Sequence, residues 1–395
     1  MVKKIVFFCF APFIKQHYKR FGAEILESNG FEVRFYDFSP IAFPELHKSS
    51  NFLSQFVSEN YFLFNKEKEA VQAIQNLGGE CFVVVTGYYQ AENFKIFQVL
   101  SKTNIPYASC AWSTFPGGLG NIEGSVLIKF LTKVYRFNLK KLKTLFYKPI
   151  LASLFGIRAP NVCILGGEYT LKDNGAAALI GEKTELLWTH THDYDQYLDH
   201  SHKRKTQENF AVFIDLGAPM FAWDTYLSQY PVILTTEQYY PSLCRFLDYV
   251  EKELALEVVI AAHPKSKHVD YPEYFGRRRI FCDQTPHLIQ KSKLVISHQS
   301  TALTYVVLEK KPLLFLTTSG YEADPCYSNF LKINAISLGT TVINIDEEPY
   351  SINWEKALLV NEKSYLKYRQ KYIKKEGTAE LNTWQIFANH LNNRP

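Results

Sequence analysis

VVIAAHPKSK, residues 258–267, sets three β-branched residues and two alanines ahead of His263-Pro264-Lys265, with a further ammonium at Lys267. A β-branched run closed by a proline has the composition of a parallel strand buried on both faces. In open α/β sheets, ligands bind beyond the carboxyl ends of such strands. An imidazole and two ammonium groups at such an end imply that something anionic binds there.

The same pattern recurs on both sides of this stretch. Strand compositions fall at 4–10, 31–38, 81–89, 106–112, 161–167 and 185–190, then at 210–215, 256–263, 278–283, 293–298, 312–318 and 340–345. Intervening segments such as FIKQHYKRFGAEILESNG and YYPSLCRFLDYVEKELAL carry helical spacing and stop at glycine or at the next strand. Two successive βα series without an internal repeat give an α/β class with two doubly wound domains. Hydrophobic periodicity lapses in DYDQYLDHSHKRKTQE, 193–208, which places a first domain at 1–195, a second at 196–345 and C-terminal helices at 346–395.

Composition removes several classes of protein. A chain of 395 residues is too long for one ordinary core, and 47% hydrophobic with 21% charged residues excludes a disordered or fibrous chain. The seven cysteines stand singly with no CxxC pair, which points to a reduced, cytoplasmic setting. The opening MVKKIVFFCFAPF is interrupted by Pro12 and lacks a small-residue cleavage site, so it reads as a strand and not as a signal peptide. No stretch reaches the ~18–20 uninterrupted apolar residues of a membrane span.

Charge is distributed unevenly. Residues 124–167 contain no acid, while Lys129, Lys133, Arg136, Lys140, Lys141, Lys143, Lys148 and Arg158 alternate with leucine and phenylalanine. These eight cations exceed the whole net charge of +5. A basic, Leu- and Phe-rich segment over 125–158 suits a helix lying on an anionic membrane surface, and equally a solvated face over the core. No nucleic-acid reader motif accompanies it, so no nucleic-acid partner is expected.

Three strands of the second domain end in polar groups: Asp215, His263-Pro264-Lys265, and Ser297-His298-Gln299-Ser300-Thr301. Parallel pairing brings those ends to one edge. Ser300 and Thr301 precede ALTYVVLEKK and would open its helix, where free N–H groups and the dipole hold phosphate. Gly87, Gly117, Gly118 and Gly120 follow first-domain strands and would let substrate approach the backbone. Asp215, fixed by a Gly-Ala-Pro turn, and Glu168, after NVCILGG, are the candidate catalytic carboxylates; their bland alternatives are a turn cap and the start of a solvated helix. His190, His192, Asp193, Asp195, His200 and His202 are metal-ligand types, but they fall at the domain junction and read as a connector, so no metal is expected.

HPKSK and SHQST, with FGRRRI between them, resemble the His-Pro and Ser/Thr motifs of bacterial GT-B glycosyltransferases that use CMP-activated ulosonic sugars. That group comprises the sialyl-, polysialyl- and Kdo transferases of capsule and lipopolysaccharide biosynthesis. The likeness extends more weakly to FIDLGAP, THTHDYDQYL and YIKKEGTAELNTW; the paired-serine pattern is opened here by His298 and Gln299. It implies two Rossmann-like domains facing a cleft, the acceptor in the first and the nucleotide sugar in the second, with the C-terminal helices crossing back to the first. His263, Pro264, Lys265, Ser297, His298, Ser300 and Thr301 would then bind the donor nucleotide. Lys265 and Lys267 would meet the donor carboxylate, with Arg277 to Arg279 as weaker candidates. The function so implied is transfer of Kdo, a sialic acid or a relative from its CMP donor to a lipid-linked glycan, with no cofactor required, by a peripheral protein at the inner face of the cell membrane. Alternatives are a CDP-glycerol or UDP-sugar donor, a nucleotide-sugar epimerase, and a silent binding subunit.

Overall fold

A computed structural model describes residues 2–49, 58–116, 152–173, 175–201, 206–217, 219, 234–263, 271–298 and 300–394. The chain divides into two compact units. One comprises Met1–Thr114, Leu119–Asp195 and Lys371–Pro395, the other Phe115–Gly118 and Gln196–Gln370. Of the basic segment 125–158, residues 125–151 lie outside the described residues, as do Gly117, Gly118, Gly120, His202, Pro264, Lys265, Lys267 and Gln299.

The first unit carries β1 (Lys4–Cys9), β2 (Glu32–Asp37), β3 (Tyr61–Leu63), β4 (Cys81–Val85), β5 (Tyr107–Ala111), β6 (Val162–Leu165) and β7 (Glu185–Trp188). They form one sheet in the order β3-β2-β1-β4-β5-β6-β7, parallel at every pairing. Successive side chains alternate between faces, and both faces are apolar, as a fully covered parallel strand requires. Ile5, Phe7, Phe35 and Phe82 pack on one side with Phe21, Trp384 and Phe387. Val6, Phe8, Val83 and Val85 pack on the other with Ala70, Ile74, Phe97 and Leu100 from the helices Glu67–Gln75 and Phe94–Thr103. Cys9, Cys110 and Cys163 are buried thiols within these strands and pack as small hydrophobes.

β3 is the strand that composition did not announce. It is three residues long, and its Phe62 and Leu63 are exposed, so it lacks the buried run that marks the central strands. Tyr61 ties it to the sheet by donating to Asp37 Oδ2 at 2.9 Å.

The second unit carries β8 (Phe210–Ile214), β9 (Glu257–Ala261), β10 (Ile280–Phe281), β11 (Leu294–Ser297), β12 (Leu313–Thr317) and β13 (Val342–Asn344). Their order is β10-β9-β8-β11-β12-β13, again parallel at every pairing. Helix Thr236–Leu254 lays Tyr239, Leu243, Phe246, Leu247 and Val250 on Phe213, Val258, Ile260 and Ile296. At its start the Thr235 N–H donates to Gln238 Oε1 at 3.3 Å, which satisfies a donor that a helix end leaves free.

Closing the second domain at residue 345 is too early. Residues 346–370 stay with this unit, because the buried Tyr365 donates to Lys311 O at 2.8 Å and Tyr350 donates to Ile345 O at 3.0 Å. From Lys371 the chain belongs to the first unit. Tyr169 N–H donates to Lys371 O at 2.8 Å and Thr191 N–H to Ile373 O at 3.0 Å, so the segment runs past the ends of β6 and β7. The last helix, Thr383–Asn392, then buries Trp384, whose Nε1–H donates to Arg20 O at 2.8 Å.

Trp384 explains Gly22. This glycine has φ +58°, and a Cβ there would stand 2.2 Å from Trp384 Cδ1. Gly22→Ala therefore combines a left-handed backbone penalty with overpacking, and it is expected to cost about 2–4 kcal/mol of stability in a urea unfolding curve. Trp384→Ala is expected to cost about 3–5 kcal/mol in the same measurement.

Candidate functional site

In a doubly wound sheet, strand order reverses at one point, and the crossovers on either side leave a crevice at the carboxyl ends there. In the first sheet that point lies between β1 and β4. Phe10 packs beside it: a Cβ on Gly87 would meet Phe10 Cδ2 at 2.8 Å, so Gly87 makes room for a phenylalanine. Asp37, buried at the end of β2, is consumed by structure, accepting from Phe13 N–H, Ser39 N–H and Tyr61 Oη.

The reversal in the second sheet lies between β8 and β11. Here the strand ends carry Asp215, His263 and His298, and the sequence placed these groups on one edge. Asp215 is 2% exposed. Its N–H donates to Ala261 O at 3.0 Å, and its Oδ2 accepts the backbone N–H of His263 at 3.1 Å. His263 is half-buried at the end of β9.

His298 and Ser297 do not face a ligand. Both are fully buried. The His298 ring spends both nitrogens inside the protein, Nδ1 on Leu316 O at 2.8 Å and Nε2 on Tyr239 Oη at 2.8 Å. A carbonyl only accepts, so Nδ1 carries the proton and the Tyr239 hydroxyl donates to Nε2. Among the described residues Ser297 Oγ has no hydrogen-bond partner. Ser297 ends β11 and His298 follows it directly, so both still belong to the interior of the sheet.

Ser300 is half-buried and Thr301 exposed. The helix they precede is short, Leu303–Leu308. Its first donors are already used: Ala302 N–H goes to Ser300 Oγ at 3.2 Å, Leu303 N–H to Ser300 O at 3.4 Å and Thr304 N–H to Thr301 O at 3.3 Å. What this turn offers an anion is therefore its two hydroxyls, not a row of free amides.

Tyr239, Tyr240 and Tyr321 were not singled out by the sequence, yet they surround Asp215. Burial pushes all three phenols up; the Asp215 charge comes next for Tyr240 and Tyr321, while for Tyr239 it follows Tyr321. Nothing local marks them, because in sequence Tyr239 and Tyr240 are ordinary members of the apolar face of helix Thr236–Leu254.

Glu168 belongs to the first unit, exposed just beyond β6, and has no partner among the described residues. Arg278 and Arg279 are taken by carboxylates, Arg278 by Asp248 and Glu251 and Arg279 by both oxygens of Glu257 at 2.7 and 2.8 Å. The histidine and aspartate run at the domain junction holds the returning chain: His190 Nε2 meets Leu381 O at 2.7 Å, and Asp195 Oδ1 accepts Thr383 N–H at 2.7 Å. Among the described residues no group of His, Cys, Asp or Glu has the arrangement of a metal site.

Burial, opposed by the Leu316 carbonyl and Asp215, pushes the His298 pKa down to about 4. The unfolded value is about 6.5, so between these pH values the unfolded chain takes up a proton that the folded chain refuses. This contribution to stability is complete above pH 6.5 and is lost as pH falls toward 4, by about 3 kcal/mol across the window. Unfolding curves of His298→Gln over the same range are expected to show a correspondingly weaker pH dependence.

No family model matches the chain, and no curated protein matches it in sequence. Among solved structures it is similar to the wall teichoic acid polymerase TagF, with TM-score 0.55 and 14% identity over 99% of this chain and 88% of that one. It is similar also to the glycotransferase of kitacinnamycin, with TM-score 0.51 and 10% identity over 99% of each chain. At these identities the likeness is one of architecture, and two parallel-sheet α/β units in this order give the chain the GT-B fold.

Proposed function

We propose that the protein is a glycosyltransferase that moves an ulosonic sugar, Kdo, a sialic acid or a relative, from a CMP donor to a glycan acceptor of surface-polysaccharide synthesis. The observation that carries this reading is the contrast between the two switch points. At the first, Phe10 packs on Gly87, whereas the second has Asp215 and His263 at adjacent strand ends. A phosphate needs donors and positive charge, and at the second edge these would come from His263, Ser300 and Thr301, with Lys265 and Lys267 next in sequence.

In the proposed reaction the acceptor hydroxyl attacks the anomeric carbon of the donor. The bond from that carbon to the phosphate oxygen breaks, and CMP departs with the electron pair. His263, Lys265 and the hydroxyls of Ser300 and Thr301 stabilise the leaving phosphate, and Lys265 and Lys267 pair with the donor carboxylate. The hydroxyl proton goes to a carboxylate open to substrate, for which Glu168 is the candidate. No metal is invoked, because the cationic side chains carry the charge balance. The acceptor is proposed to be lipid-linked, with residues 125–158 against an anionic inner leaflet. Among the described residues no helix is long and apolar enough to cross a membrane.

Thermal shift with CMP, CDP, UDP and GDP tests the donor. CMP at a hundredfold excess over its dissociation constant is expected to stabilise the fold by about 2.7 kcal/mol, and His263→Ala to abolish the shift. Stabilisation by UDP or GDP alone would overturn the CMP reading, stabilisation by CDP alone would turn it toward a CDP-glycerol donor, and no shift with any nucleotide would favour a silent subunit.

A further inference from the structure

We infer that Asp215 is a positioning residue for His263 and not the carboxylate that reacts; the inference rests on the nucleotide site proposed above. β8 and β9 run in parallel with Ile214 opposite Ala261. The ladder continues one step beyond the strands, through Asp215 N–H to Ala261 O at 3.0 Å. At the next step the backbone of β8 has turned away, and the Asp215 side chain takes over as acceptor, Oδ2 receiving His263 N–H at 3.1 Å. Residue 264 is proline and has no N–H, so after the His263 amide the next backbone donor comes only at residue 265.

A short side chain with two hydrogen-bonded anchor points in one residue, backbone N–H and carboxylate oxygen, has little freedom. Asp215 is 2% exposed, and the aromatic rings of Tyr239, Tyr240, Tyr321 and His298 lie in its field. Oδ2 is committed to the His263 amide and Oδ1 is buried, so moving the carboxylate out to a sugar would unfasten the residue assigned to the phosphate. Holding that amide instead fixes the Cα of His263 and, through it, the imidazole. Errors of about 1 Å in such placement are costly in binding and rate.

The experiment compares Asp215→Ala with Asp215→Asn, whose amide oxygen can still accept an N–H. Hydrogen exchange at the His263 amide is expected to be slow in the wild type and in Asp215→Asn, and at least about tenfold faster in Asp215→Ala. The CMP dissociation constant and the donor KM are expected to rise about tenfold in Asp215→Ala, with a smaller change in kcat, and to be largely rescued in Asp215→Asn. Asp215→Ser, too short to reach the amide, replaces Asp215→Ala if that chain does not fold. Equal protection of His263 in all variants would overturn the inference. So would an Asp215→Asn enzyme that binds CMP normally yet loses kcat by about a thousandfold or more, which is the signature of a reacting carboxylate. If the wild type binds no CMP, the nucleotide reading fails, and amide exchange alone still decides whether Asp215 holds His263.

Discussion

Parallel pairing governs everything else in this protein. A parallel strand cannot be joined to its neighbour by a tight turn, so each crossover must pass over a face of the sheet. Both faces then become interior, as the apolar packing on either side of β1 and β4 shows. Every strand also points the same way, so all the groups that end strands gather along one edge. The protein uses that edge differently in its two units. In the first, Phe10 packs on Gly87 and Asp37 is satisfied within the unit; in the second, Asp215 and His263 stand at adjacent strand ends.

The two histidines of the second edge are of one residue type but have different surroundings. His298 directly follows β11 and lies against its neighbours β8 and β12, where the Leu316 carbonyl and the Tyr239 hydroxyl claim its ring and burial keeps it neutral. His263 stands past the end of β9, half-buried, anchored through its backbone. A difference of one or two positions relative to the strand end thus separates a core histidine from a candidate ligand.

This is also the limit of what could be read from residues alone. Twelve strands were legible, the central ones because burial on both faces writes a continuous apolar run; the one that was missed, Tyr61–Leu63, is a three-residue edge strand with Phe62 and Leu63 exposed. The edge on which Asp215, His263 and His298 meet followed from parallelism. Which of them face inward did not, because Tyr239 and Leu316 are remote in sequence and nothing near SHQST betrays them. Likewise the helix after Thr301 reads as a donor-rich terminus, while its first amides close on the preceding turn. The end of the second domain was misjudged because Tyr365 looks like any residue of an amphipathic helix until its bond to Lys311 O is seen.

The placing of Trp384 bears on how the chain is made. Its indole lies in the core of a unit whose strands are all complete by Trp188, yet it is synthesised only after the whole of the second unit. During translation the first sheet must therefore wait with one face uncovered, at Phe7, Phe21 and Phe82, while its neighbour has all it needs to fold. The N-terminal unit emerges first and is finished last.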